Sequence, residues 1–120
     1  MYRDIRERTF LFSVQIVKLA ERMPETRSGK LLANQLVRSG TSVGANVEEA
    51  SAAFSRNDYA YRMSIALREA RETLYWLRLL KATNLVNEVS IGNADREADE
   101  ICRILGSIVT KLRGVSRKGN

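Results

Sequence analysis

At 120 residues the chain can enclose one hydrophobic core and is too short for two ordinary domains. An apolar share of 44% excludes wholesale disorder, and no apolar run approaches the roughly 20 residues that a bilayer span requires. The net charge is +6, carried mostly by arginine, which favours polyanionic partners; the absence of histidine removes the commonest general base, serine–histidine triads and most zinc and haem sites.

The opening residues Met1 to Arg8 are charged and lack the apolar stretch of a signal peptide. With a single cysteine, Cys102, no internal disulfide can form, so a reduced, cytoplasmic setting is expected. Helix is the default, because Pro24 is the one proline and extended β-branched runs are missing. The first helix is predicted from about Asp4 to Met23, with Ile5, Thr9, Phe12, Ile16, Leu19 and Met23 along one face and Pro24 ending it.

A second helix is predicted from near Ser28 to about Ala53, with a core stripe of Leu32, Leu36, Val43, Val47, Ala50 and Phe54. Gly40 and Gly44 fall inside it, where each costs about 1 kcal/mol against alanine. Close approach of a neighbouring helix would explain that cost; a loop at Ser39-Gly40-Thr41 is the alternative. Beside the core stripe run Gln35, Arg38, Ser42, Asn46 and Glu49. Arg38 and Glu49 lie about 16 Å apart along the axis, so they cannot pair with each other and need partners elsewhere. The stripe Arg38, Ser42, Asn46 and Glu49 is read as structural, a set of buried polar groups that fixes register. An active site is the sharper alternative, but no nucleophile with an activating base accompanies it.

Ser55-Arg56-Asn57-Asp58 supplies cap-type residues for a third helix, about Asp58 to Thr83, with Asn84 as its stop. Met63, Ala66, Leu67, Ala70, Leu74 and Leu77 form its core face. Tyr61, Ile65, Trp76 and Leu79 form a second apolar face roughly 150° away. The first helix repeats the pattern with Phe10, Val14 and Val17. Soluble monomers avoid leaving so much apolar surface in water, so self-association through the first and third helices is expected; cover from the termini or a skewed bundle is the alternative. A third strip of the same helix joins Ser64, Arg68, Arg71, Tyr75 and Arg78. Arginines for phosphates and an aromatic ring for a base are the parts of a nucleic-acid surface. A solvated face, its arginines neutralised by Glu69 and Glu72, is the competing reading.

Val86 to Asn93 is ambiguous. The last helix is predicted from about Ala94 to Arg113, burying Ala98, Ile101, Leu105, Ile108, Val109 and Leu112. Acidic residues open it and basic ones close it, as the helix dipole prefers. Residues 116–120 have nothing to bury and are expected to form a disordered basic tail after a single domain over 1–115. The expected fold is all-α, an antiparallel up-down-up-down four-helix bundle. No di-iron Glu-x-x-His pair or thiolate cluster is present, and Ser28-Gly29-Lys30-Leu31 lacks the serine or threonine of a phosphate loop. Neither a metal, a cofactor nor catalysis is expected.

Arg38-Ser39-Gly40-Thr41-Ser42-Val43-Gly44-Ala45-Asn46-Val47-Glu48-Glu49-Ala50 resembles the signature of the 23S rRNA-intervening-sequence proteins, approximately Arg-Ala-x-x-Ser-Ile-x-x-Asn-Ile-x-Glu-Gly. Ala50 stands where that family usually has glycine. The stretch from Ile65 to Leu80 is similar to one branch of the same family, and the likeness runs from about Ile5 to Leu112. The resemblance implies a four-helix bundle assembled as a ring-like homopentamer. It also implies kinship with the accessory protein of diversity-generating retroelements, which associates with reverse transcriptase and nucleic acid. Two functions follow as expectations: nucleic-acid binding through basic helix surfaces, or a protein-interaction scaffold that docks a partner enzyme.

Overall fold

The computed structural model describes residues 5–118, with side chains to residue 114. All the regular structure among them is helical: α1 (Ile5–Ala20), α2 (Arg27–Ser51), α3 (Arg56–Thr83), the four-residue α4 (Glu88–Ile91) and α5 (Ala94–Lys118). Local chemistry sets the ends. Thr26 Oγ1 accepts the Gly29 N–H at 3.1 Å, Ser55 Oγ accepts the Asp58 N–H at 3.0 Å, and Asn87 Oδ1 accepts the Ser90 N–H at 2.7 Å. Each side chain satisfies a donor that the first turn leaves free. Asn84 closes α3 in the left-handed region at φ 56°, and α4 ends on Gly92 at φ 58°. The ambiguous segment is thus a capped single turn between α3 and α5. No described helix is long and apolar enough to cross a membrane.

Consecutive long helices pack side by side in an elongated body of 52 × 24 × 23 Å, while α1 and α5 meet over a smaller area. Near the start of α1, Arg6 bonds Glu48 near the end of α2 at 3.1 Å. Arg8 grips Glu97 at 2.7 Å and also bonds Glu100, linking α1 to α5, and Lys81 at the end of α3 bonds Asp95 at 3.0 Å. The core holds Phe12, Ile16, Leu36, Val43, Met63, Leu77, Ile101 and Leu105, all taken from the stripes that periodicity predicts.

The glycines of α2 lie in an unbroken helix, so the alternative loop is not formed. A Cβ at Gly40 would stand 2.7 Å from Ile16 Cγ2, and one at Gly44 would stand 3.2 Å from the Thr9 carbonyl oxygen. Close approach of α1 is therefore what the two glycines permit. Gly29, in the phosphate-loop-like tripeptide, instead admits the turn that precedes α2: a Cβ there would meet the Pro24 carbonyl oxygen at 2.1 Å.

Three expectations need correction. Phe54 is not a core residue: α2 ends at Ser51, and the ring projects fully into solvent from the turn before α3. Helix α1 stops at Ala20, ahead of Pro24, although Met23 remains buried in the turn that follows. Helix α5 continues past Arg113 to Lys118. The side chains of 115–118 and all of 119–120 lie outside the described residues; of the tail expected over 116–120, the backbone of 116–118 is helical.

Candidate nucleic-acid interface

Helix α3 is 28 residues long, and its core face is fixed by Met63, Ala66, Ala70, Thr73, Leu77 and Leu80, all buried. With that face held against α2 and α5, the strip bearing Arg68, Arg71, Tyr75 and Arg78 must point outward, and all four side chains are exposed. Ser64, expected on the strip, is half-buried and donates to the Tyr61 carbonyl at 2.7 Å.

The pairing of Glu69 and Glu72 decides which arginines of this strip keep their donors free. Neither carboxylate serves the arginines of its own helix. Arg38 reaches across from α2, bonding Glu69 at 3.3 Å and also Glu72, while its Nε donates to Gln35 at 3.1 Å. Among the described residues, Arg68, Arg71 and Arg78 have no carboxylate partner within 4.0 Å. Three guanidinium groups therefore face solvent with their five donors each unmatched by protein anions.

Tyr75 sits between them, 57% exposed. Its ring packs edge-on against Trp76, with centroids 5.1 Å apart and planes at 69°. Trp76 Nε1 in turn donates to Glu72 at 3.0 Å. A chain of contacts from Arg38 through Glu72 and Trp76 thus holds the exposed phenol in place. An open cleft of about 640 Å³ lies beside the ring, lined by Tyr75, Arg78, Leu79, Lys81, Ala82 and Asp95. Lys81 is tethered at its rim by Asp95. Burial pushes the Asp95 carboxyl up, but the Lys81 bond and the Arg96 backbone N–H at 3.0 Å outweigh it and hold the group below its ordinary value.

The polar stripe of α2 differs from its expected form. Arg38 is 47% exposed at its side chain and Glu49 is exposed, so neither is a buried ion. Arg38 is a bridge to α3, Ser42 and Asn46 are joined on their own helix by Asn46 Nδ2 donating to the Ser42 carbonyl at 2.8 Å, and Glu49 has no ion-pair partner among the described residues. The buried polar contact between helices belongs instead to Ser39 and Thr73, whose hydroxyls lie 2.9 Å apart. Each also lies within bonding distance of a carbonyl of its own helix, Gln35 at 2.9 Å and Glu69 at 2.7 Å. Sequence reasoning passed over this pair because small hydroxyl residues on a core face give no charge or periodic signal. Lys81 and Asp95 were missed too, since they meet only across the irregular segment between two helices.

The second apolar faces expected on α1 and α3 are only partly exposed, and Trp76 packs against the core. Phe10 is 63% exposed, Val17 and Tyr61 are exposed, and Val14, Ile65, Trp76 and Leu79 are half-buried. Phe10, Val14 and Val17 line one shallow apolar cleft on α1. Cys102 is half-buried; burial pushes its thiol up, against a smaller downward pull from Arg71. The Arg8 guanidinium is held well above its ordinary value by its bonds to Glu97 and Glu100.

Over residues 3–107 the chain matches the profile of a family described as 23S rRNA-intervening sequence protein. It is also similar to a crystallised protein of unknown function from the S23 ribosomal protein family of Bacteroides thetaiotaomicron. The two superpose with a TM-score of 0.80 at 36% sequence identity, over 88% of this chain and 97% of that one. No curated protein matches the sequence.

Proposed function

This chain belongs to the 23S rRNA-intervening sequence protein family, and from that premise we propose that it is a non-enzymatic, cytoplasmic nucleic-acid-binding protein whose contact surface is the α3 strip Arg68, Arg71, Tyr75 and Arg78. One observation carries the reading. Arg38 occupies Glu69 and Glu72, the carboxylates that would otherwise neutralise the strip, and leaves three guanidinium groups free for phosphates. The overall charge of +6 supports the same partner class at longer range.

The binding unit in this reading is an antiparallel up-down-up-down bundle repeated in a ring-like homo-oligomer, so that several strips share one assembly. Support comes from the residual apolar faces: Phe10 and Val17 on α1 and Tyr61 on α3 stand in water in one copy. Light scattering should report a multiple of 13.6 kDa, reduced by Phe10→Asp. A lone 13.6 kDa particle at working concentration would remove the ring.

Fluorescence titration with RNA and DNA tests the surface. Replacing Arg68, Arg71 and Arg78 together by glutamate should abolish binding at moderate salt. Single arginine-to-alanine changes should each flatten the slope of log K against log salt by roughly 0.7 to 0.9. Unchanged affinity in the triple variant rejects this surface. A second reading, a scaffold that docks a partner enzyme, is favoured by the apolar cleft of about 380 Å³ lined by Ser28, Leu31, Leu32, Leu79, Thr83 and Leu85. A partner protein retained from native lysate after nuclease treatment would support it over the first.

A further inference from the structure

We propose that the strip on α3 takes an unpaired nucleic-acid strand, with one base stacked on the exposed ring of Tyr75 in the cleft between the end of α3 and the start of α5. The proposal rests on the nucleic-acid reading above and narrows it to single-stranded ligands.

Three observations point this way. First, the aromatic group is presented as a platform. Tyr75 is exposed on one side and braced on the other by the edge-on contact with Trp76, which Glu72 and Arg38 immobilise in turn. A ring held in this way loses little freedom when a base settles on it. Second, space is available beside it: the cleft of about 640 Å³ falls within the size range of small-molecule sites, with Leu79 and Ala82 as apolar lining and Arg78 and Lys81 as cations. Third, Arg71 and Arg78 flank the ring at about 6 and 4.5 Å along the helix axis, so a strand whose base lies on Tyr75 passes phosphates to a guanidinium on either side.

A duplex cannot use this arrangement. Its bases are stacked on one another and offer only their edges in the grooves, so the face of Tyr75 would find nothing to cover. Single strands expose base faces, and stacking on an aromatic side chain is their sequence-tolerant mode of attachment. RNA and DNA strands share this chemistry.

Trp76 is the sole tryptophan of the chain and touches Tyr75, so it reports directly on the cleft. The full-length protein should be titrated with oligo-dT and oligo-U of about 15 nucleotides, a typical single-strand site size, and with a duplex of equal length and inorganic polyphosphate. Both single strands should quench Trp76 and bind at least about tenfold more tightly than the duplex, the tighter of the two marking the preferred sugar; polyphosphate should leave the emission unchanged. Tyr75→Ala should weaken single-strand binding about tenfold and erase the preference over duplex, whereas Tyr75→Phe should keep both. Equal affinity for duplex and single strand, or a Tyr75→Ala variant that binds single strands as the parent does, overturns the stacking proposal and leaves the basic strip standing. Failure of every nucleic acid to bind overturns the wider reading as well.

Discussion

Substituting Gly40 by alanine sets two effects of known size against each other. In the middle of α2, alanine gains about 1 kcal/mol over glycine from helix propensity alone. The new methyl group would lie 2.7 Å from Ile16 Cγ2, 3.0 Å from Cγ1 and 3.1 Å from Cβ. These atoms belong to the stiff, branched root of a side chain with no exposed surface, so Ile16 cannot swing aside and α1 itself must shift. Overpacking of this type costs about 1–3 kcal/mol, leaving Gly40→Ala less stable than the parent by about 1 kcal/mol. Gly106 on α5 supplies the internal control: a Cβ there meets nothing within 4 Å, so Gly106→Ala should gain most of the propensity difference, about 1 kcal/mol. Gly44→Ala should fall between them, with its nearest contact at 3.2 Å. Urea unfolding at one fixed protein concentration, with m unchanged, measures the order. If Gly40→Ala proves as stable as Gly106→Ala, the close approach of α1 is not what keeps that position a glycine.

Arg38→Ala should lower nucleic-acid affinity severalfold while changing stability by less than about 1 kcal/mol, because an exposed ion pair contributes little to folding but its loss frees Glu72 to reach Arg68 one turn away; titration beside urea unfolding checks both, with Arg22→Ala as a comparison. Asp95 is held below its unfolded value of about 3.9, so its contribution is complete above that pH and is lost as pH falls through the lower folded value. Acid unfolding of Asp95→Asn should therefore show a weaker pH dependence below about pH 4 than the parent, and identical curves would contradict the Lys81 and Arg96 contacts. Replacing Ser39 by alanine and Thr73 by valine together should cost less than about 1 kcal/mol by calorimetry, since both members of the hydroxyl pair leave at once and no buried polar group is stranded.

The apolar spacing of the chain was enough to establish four long helices and most of their core positions. That success has a simple cause: helix periodicity is a local property, and one stripe of side chains identifies the buried face whatever lies opposite. Capping was legible too, with Ser55 and Asn84 bounding α3 as their side-chain and backbone preferences require. Partnership across helices was not. Glu69 and Glu72 stand within one turn of the arginines on α3, and only the packing of α2 against that helix reveals that Arg38 claims both. Phe54 failed for a related reason, because its spacing continued the α2 stripe beyond the point where the helix ends. The cleft at Tyr75 required the turn from Leu85 to Asn93 to bring Asp95 back beside Lys81. Periodicity thus assigned most side chains to a face. Which charges remain unmatched on that face is a property of neighbours far apart in the chain, and only the tertiary structure decided it.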